Sequence, residues 1–95
     1  MPVQTKNIAI TDFEFTGLDP LQHEIIEVGV IVVEGETMRE IARFETKINP
    51  EHLESASSES LAVAGYNAKD WEGALTLHDS LTKYLAITQG CIFAA

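Results

Sequence analysis

Hydrophobic residues in the first half of the chain follow patterns that are typical of β-strands. Residues 7–12 are apolar on both faces until the pattern ends at an aspartate, and Ile25–Val33 is a run rich in β-branched residues. Residues 41–48 alternate apolar and polar side chains, as a half-exposed strand does, and a proline follows shortly after. Because the links between these segments are short, we predict an antiparallel meander of three strands.

The second half of the chain changes to a helical pattern. Residues 61–64, followed by a glycine, predict a short helical turn. Thr76 begins a capping-box sequence, and a helix stopped by Gly90 is expected to cover the sheet. Its apolar face is predicted to contain four residues at helical spacing, Leu77, Leu81, Tyr84 and Leu85. The apolar residues 91–95 then favour the start of a buried fourth strand, parallel to the first.

Composition places this pattern in a small folded domain. Hydrophobic residues make up 45% of the chain and charged residues 22%, which is ordinary for a globular protein. The single Cys91, expected to be buried, cannot form an internal disulfide, and no cysteines or histidines have zinc-site spacing. No segment is apolar enough for a signal peptide or a membrane span, so we expect a cytoplasmic protein without membrane contact.

The charge balance restricts how this protein could contact nucleic acid. Six basic against fifteen acidic residues give a formal net charge of −9. Such a chain is a poor candidate for binding nucleic acid mainly by counterion release. Two divalent cations would place about four positive charges beside a phosphate, so a metal-dependent nuclease remains compatible with the composition.

Asp12 and Glu14 are the residues that point to chemistry. In an extended chain, positions i and i+2 share a face, roughly 6.6 Å apart along the strand. Two carboxylates on one face repel each other unless cations lie between them, and Mg²⁺ and Mn²⁺ prefer oxygen ligands. A solvated strand end is the simpler explanation of an isolated Asp-x-Glu pair, so the surrounding sequence has to decide.

The surrounding sequence resembles the first motif region of the DnaQ-like (DEDD) 3′→5′ exonucleases. Asp12 begins the string D-F-E-F-T-G-L-D-P, and His23 begins H-E-I-I-E-V-G-V-I-V-V-E. A less specific match spans residues 61–67, followed by the capped helix from Thr76. The resemblance implies an α/β, RNase H-like mixed sheet, with residues 1–95 as the N-terminal part of one exonuclease domain.

The resemblance also implies roles for individual residues. Asp12 and Glu14 would hold two catalytic Mg²⁺ or Mn²⁺ ions. The turn after them would receive the terminal nucleotide at the 3′ end of a single-stranded nucleic acid, which would be hydrolysed to nucleoside monophosphates. The expected substrate-binding residues are Phe15, Thr16, Gly17, Leu18 and Tyr66. Phe15 departs from the family, which usually has threonine there.

Other parts of the family pattern are absent from these 95 residues. The family has a second Asp motif and a third motif with an Asp and a His or Tyr base; the histidine form reads H-x-x-x-x-D. Five positions after His23, His52 and His78 lie Val28, Ser57 and Lys83. We therefore expect a truncated fragment that has little or no activity alone.

Three questions stay open from the sequence. A truncated, non-catalytic exonuclease-like module that binds a partner or a cation is the alternative function. DNA or short oligoribonucleotides are both candidate substrates. The sequence also leaves a homo-oligomer open.

Overall fold

The computed structural model describes residues 6–94, which form a four-stranded sheet with two α-helices. A 3₁₀ turn, Leu53–Ser55, precedes the first helix. The strands are β1 (Ile8–Phe15), β2 (Ile25–Val33), β3 (Glu40–Lys47) and β4 (Ile92–Ala94), and the helices are α1 (Ser58–Ala64) and α2 (Leu77–Ile87).

The strands lie in the order β3-β2-β1-β4. β1 pairs antiparallel with β2, and β2 pairs antiparallel with β3, so the predicted meander is confirmed. β4 returns after α2 and pairs parallel with β1, with Ile8 opposite Ile92. The predicted α/β mixed sheet of the RNase H-like type is therefore confirmed, and the start of β4 lies beside the start of β1.

The hydrophobic core lies between one face of the sheet and α2. From α2, Tyr84 is buried in this core and Ile87 packs against it. The Tyr84 and Thr11 hydroxyls share a hydrogen bond at 2.8 Å. Phe13 packs against the same ring with centroids 5.8 Å apart. The buried core residues are Ala9, Val28, Val30, Val32, Ile48 and Tyr84.

The buried face of α2 includes Tyr84 and the half-buried Leu81, as predicted, but otherwise differs from the predicted one. Leu77 and Leu85 are exposed, whereas Ser80 and Tyr84 are buried. The Ser80 hydroxyl donates to the Thr76 carbonyl at 2.8 Å, so its burial leaves no polar group unsatisfied. Ser80 can therefore face the sheet, because its hydroxyl already has a partner within the helix. The hydrophobic pattern alone favoured Leu77 and Leu85 for this face.

The expectation that β4 is buried is wrong for the part of the chain that the structure describes. Ile92 is 55% exposed and Phe93 is 58% exposed. β4 lies at the margin of this sheet and has β1 as its only strand neighbour there. Cys91, expected to be buried, is half-buried.

Both helices begin at hydroxyl caps. Ser57 accepts a hydrogen bond from the Ser60 amide at the start of α1, so this helix begins three residues earlier than predicted. Thr76 accepts from the Asp79 amide at the start of α2, as the capping sequence predicted. Between residues 6 and 94, no helix is both long enough and apolar enough to cross a bilayer.

Candidate metal and nucleotide site

The alternation of β1 directs Asp12 and Glu14 away from the core. Thr11 and Phe13 contact Tyr84 on the helix-covered face, so the residues between and after them point to the opposite face. Asp12 is exposed and Glu14 is half-buried. The structure therefore brings both predicted ligands to the face of the sheet opposite α2.

Strand pairing adds a third carboxylate to this face. Glu14 lies opposite Glu27 of β2, and Asp12 lies opposite Gly29. The Glu27 carboxylate accepts from the Lys47 ammonium at 3.1 Å, so its charge is balanced. No ion pair within residues 6–94 involves Asp12 or Glu14. Of the three carboxylates on this face, Asp12 and Glu14 are therefore the two without an ion pair among the described residues.

This donor set fits a hard divalent cation. Carboxylate oxygens on neighbouring same-face positions are ligands that Mg²⁺ and Mn²⁺ accept, and these ions keep several waters when few protein ligands are present. In the region from residue 6 to residue 94, no cluster of three or more His, Cys, Asp or Glu side chains could hold a metal ion. Asp12 and Glu14 alone would supply only part of a coordination shell, and a metal site at these carboxylates stays a prediction.

Thr16, predicted to contact substrate, is fully buried in the loop after β1. Its amide donates to the Glu24 carbonyl at 2.8 Å, and its carbonyl accepts from the Ser57 amide at 2.7 Å. Its hydroxyl accepts from the Glu24 amide at 2.9 Å. These bonds hold the loop against the segment before α1, while a contact of Thr16 with substrate stays a prediction.

Gly17 is required by a close internal contact. A Cβ atom at this position would overlap the His23 imidazole. Positive φ is not the reason, since Gly17 is not among the residues with that conformation. The sequence suggested a glycine that lets backbone approach a ligand; the structure supplies the His23 ring as the group that approaches it, and a ligand contact stays a prediction.

Leu18 and Phe15 separate two cavities. Leu18 is 96% exposed at the tip of the loop, and Phe15 is 44% exposed where a bulge follows Glu14. One cavity, of about 340 Å³, lies on the side of Glu14 and reaches α1. Its walls are formed by Glu14, Phe15, Gly17, Leu18, Ser57, Glu59, Ser60 and Val63.

The second cavity is larger, about 620 Å³, and its walls are acidic. Asp19, Glu24 and Glu51 contribute to its walls, and neither lysine nor arginine does. It does not include Asp12 or Glu14. The smaller cavity likewise has carboxylates, Glu14 and Glu59, and neither lysine nor arginine in its walls. It is the better candidate for a nucleotide because Glu14, a predicted ligand, lines it, and a cation there would attract a phosphate.

Tyr66 lies outside the two cavities beside the loop after β1. It follows α1 and packs on Trp71, with ring centroids 4.9 Å apart. It is half-buried and lines neither of the two cavities. Its predicted contact with a base therefore stays a prediction.

The structure adds residues that sequence reasoning did not place at the site. Ser57, Ser60 and Val63 of α1 and its cap complete the cavity beside Glu14. Their serine-rich sequence indicated a cap but not its position against β1. Glu24 also has a defined role, since its carboxylate accepts from the amides of Glu51 at 2.8 Å and His52 at 2.9 Å.

The segment before α1 contains an exposed ion pair. The His52 ring nitrogen lies 3.1 Å from a Glu54 carboxylate oxygen. Hydrogen bonding to Glu54 raises the pKa of His52. The pKa of Glu54 is lowered, first by its own backbone amide and then by His52. This pair lies beside the loop contacts of Glu24 and outside both cavities.

Comparison with known proteins agrees with this geometry. The RNase T model, described as an exonuclease family, matches residues 9–95. The chain is 29% identical over 86 residues to the PolC-type DNA polymerase III of Thermotoga maritima, covering 90% of this chain and 6% of that protein.

Two solved nucleases share the fold. The nuclease domain of 3′hExo, a DEDDh family member bound to rAMP, has a TM-score of 0.72 at 25% identity, covering 90% of this chain and 44% of that chain. A 3′-exonuclease that recognises the 3′ end of a histone mRNA stem-loop has a TM-score of 0.73 at 27% identity, covering 90% and 31% respectively. This chain thus spans less than half the length of each relative.

The family match covers nearly the whole chain and includes both carboxylates, the loop after them and α1. The chain therefore belongs to the exonuclease family, and its DnaQ-like character is confirmed.

Proposed function

We propose that this chain forms the metal-binding and nucleotide-binding half of a 3′→5′ exonuclease that releases nucleoside monophosphates from the 3′ end of single-stranded nucleic acid. The observation that carries the proposal is the pair Asp12 and Glu14 on the sheet face opposite α2, next to a cavity that Glu14 itself lines. The relatives described above include one bound to rAMP and one that recognises an RNA 3′ end, which supports a nucleic-acid substrate.

In this proposal Asp12 and Glu14 hold two Mg²⁺ or Mn²⁺ ions. When bound, such ions activate a water for attack on phosphorus and stabilise the leaving oxygen. The carboxylates supply the negative charge that retains the ions, and their position on a rigid strand fixes where the scissile phosphate must lie. The general base and further ligands are expected from residues outside this set.

The loop after β1 is proposed to position the terminal nucleotide. Leu18, almost fully exposed, offers an apolar surface against which a base can pack. Phe15 borders the same cavity and adds an aromatic surface where the family usually has threonine. Gly17 also lines this cavity, and the buried Thr16 holds the loop through its hydrogen bonds to Glu24 and Ser57.

The test is nucleotide release by the complete natural-length protein with Mn²⁺. The substrates are a single-stranded DNA oligonucleotide and an RNA oligonucleotide, each labelled at the 5′ end so that stepwise shortening reports direction. We expect stepwise loss from the 3′ end, abolished by Asp12→Asn and Glu14→Gln and unaffected by Glu72→Gln, an exposed carboxylate outside the cavity. Unchanged activity in both carboxylate variants would refute the proposal. The ratio of the two substrates decides between DNA and RNA.

A non-catalytic, cation-binding module is the second candidate. It needs the same two carboxylates, Asp12 and Glu14, on one face of β1, but neither a general base nor a bound nucleotide. Under this function, Mn²⁺ raises the thermal stability of the protein, but neither oligonucleotide is shortened. The proposed exonuclease requires both stabilisation by Mn²⁺ and shortening of an oligonucleotide.

A further inference from the structure

We infer that His23 is a positioning residue that fixes the loop carrying Leu18 beside the carboxylates. The inference rests on the proposed function, because the loop matters only if a nucleotide binds there. His23 itself touches neither Asp12 nor Glu14, and it does not line the cavity beside Glu14. Its contribution would be made through the backbone that it holds.

The imidazole of His23 uses both nitrogens to join separate parts of the chain. Its Nδ1 accepts from the Asp19 amide at 2.9 Å. Its Nε2 lies 3.0 Å from the Ser55 carbonyl oxygen. A carbonyl can only accept, so the ring must be protonated at Nε2 and unprotonated at Nδ1 to satisfy both contacts. In this tautomer, His23 links Asp19, the residue after Leu18, to Ser55 in the segment before α1.

The ring also fills the space above Gly17. A side chain at Gly17 would overlap the imidazole, so the two positions are sterically matched. On one side of the loop tip the ring limits movement of the Gly17 backbone, and on the other side it holds the Asp19 amide. Leu18 lies between these two restrained residues, although its own side chain is 96% exposed.

The same contact determines the width of the nucleotide cavity. The wall opposite the loop is made by Ser57, Ser60 and Val63. Ser55 lies two residues before that wall, so the bond from His23 fixes the loop relative to it. Two further hydrogen bonds join the loop to this segment: the Ser57 amide donates to the Thr16 carbonyl at 2.7 Å, and the Ser55 hydroxyl donates to the Gln22 carbonyl at 3.3 Å. Losing the His23 bonds removes the ties nearest to Leu18 and lets the Leu18 side of the cavity open, while the bonds of Thr16, Gln22 and Glu24 to this segment remain.

The experiment compares three His23 variants in the complete natural-length protein. His23→Ala removes the ring, whereas His23→Asn keeps an acceptor near the Nδ1 position and loses the bond to Ser55. His78→Ala is the matched control, since His78 is an exposed histidine of α2 outside the two cavities that flank the loop. Thr88→Val controls for stability, because it removes a buried hydroxyl bond to the Tyr84 carbonyl near the start of β4. His23→Gln, the third variant, keeps a donor directed at Ser55.

Two readouts separate positioning from general destabilisation. For His23→Ala we expect the KM for a single-stranded oligonucleotide to rise about tenfold while kcat changes by less than about twofold, because hydrogen bonds that support binding are lost and the carboxylates are untouched. Amide exchange at Asp19 should become about tenfold faster. His23→Asn should protect Asp19 better than His23→Ala, and neither control should change KM or Asp19 exchange.

The results that overturn the inference are specific. A His23→Ala protein with wild-type KM and wild-type Asp19 exchange would exclude it, as would a Thr88→Val protein whose KM rises equally. If the wild-type protein shortens neither oligonucleotide, the proposed function fails on its own. Asp19 exchange and the nitrogen chemical shifts of the His23 ring then decide separately whether the ring restrains the loop.

Discussion

Repulsion between Asp12 and Glu14 predicts that a variant will be stabilised without metal and destabilised with it. Glu14→Gln keeps the shape of the side chain and removes one charge from the sheet face opposite α2. At roughly 6.6 Å along the strand, two unit charges repel by about 0.6 kcal/mol in water and about 2.5 kcal/mol at an effective dielectric constant of 20. The exposure of Asp12 and screening by salt favour the lower part of this range.

We expect the metal-free variant to gain about 0.5–1 kcal/mol, which corresponds to a rise in Tm of roughly 2–8 °C for a chain of this size. With Mn²⁺ the order should reverse. A cation at ten times its Kd stabilises the folded protein by about 1.4 kcal/mol, and the variant has lost one of the two ligands that bind it.

The assay is thermal unfolding followed by circular dichroism, in EDTA and then in a Mn²⁺ series. Glu72→Gln is the control, because it makes the same change in net charge at an exposed carboxylate outside the cavity beside Glu14. A Glu14→Gln protein no more stable than the control in EDTA would refute the repulsion argument. Undiminished stabilisation by Mn²⁺ in the variant would refute the assignment of Glu14 as a ligand.

Three further predictions concern the support of the site. Glu24→Ala should lower the free energy of unfolding by about 1–3 kcal/mol in urea titrations, because two backbone amides, those of Glu51 and His52, lose a charged acceptor. Glu54→Gln should return the raised pKa of His52 toward its ordinary value in an NMR titration. The His52–Glu54 ion pair stabilises the fold only at pH values between the lowered pKa of Glu54 and the raised pKa of His52. Its contribution is lost as the pH falls through the pKa of Glu54 or rises through the pKa of His52. Trp71→Phe should cost about 1–3 kcal/mol, also measured in urea, since the indole donates a buried hydrogen bond to a β2 carbonyl at 2.9 Å.

The strands were predictable because their hydrophobic patterns are local. Ile25–Val33 has the predicted bounds, and β3 begins one residue earlier and ends one residue earlier than expected. The first strand extends beyond Asp12 to Phe15, because charged residues can continue a strand whose outer face is open. The face of α2 was not predictable in this way, since the burial of Ser80 depends on a hydroxyl bond that the hydrophobic pattern does not report.

The candidate site was predictable only in part. The shared face of Asp12 and Glu14 follows from strand alternation alone. The contact between Gly17 and His23 joins residues that are not neighbours in the sequence. The hydrogen bond from the Glu51 amide to the Glu24 carboxylate also joins distant residues and uses a backbone group. Periodicity contains no information on such contacts. The position of Tyr66 on Trp71 likewise follows from packing of the loop after α1, which no motif specifies.

The hydroxyl pair between Thr11 and Tyr84 has a consequence for the opposite side of the sheet. A slip of one residue in β1 would exchange the side chains of its two faces, so that Phe13 would point to solvent and the carboxylates toward the helix. The hydrogen bond between the two hydroxyls helps to fix the register of β1. Loss of this part-buried bond would therefore change the direction of Asp12 and Glu14, although neither carboxylate lies on the same face of β1 as Thr11.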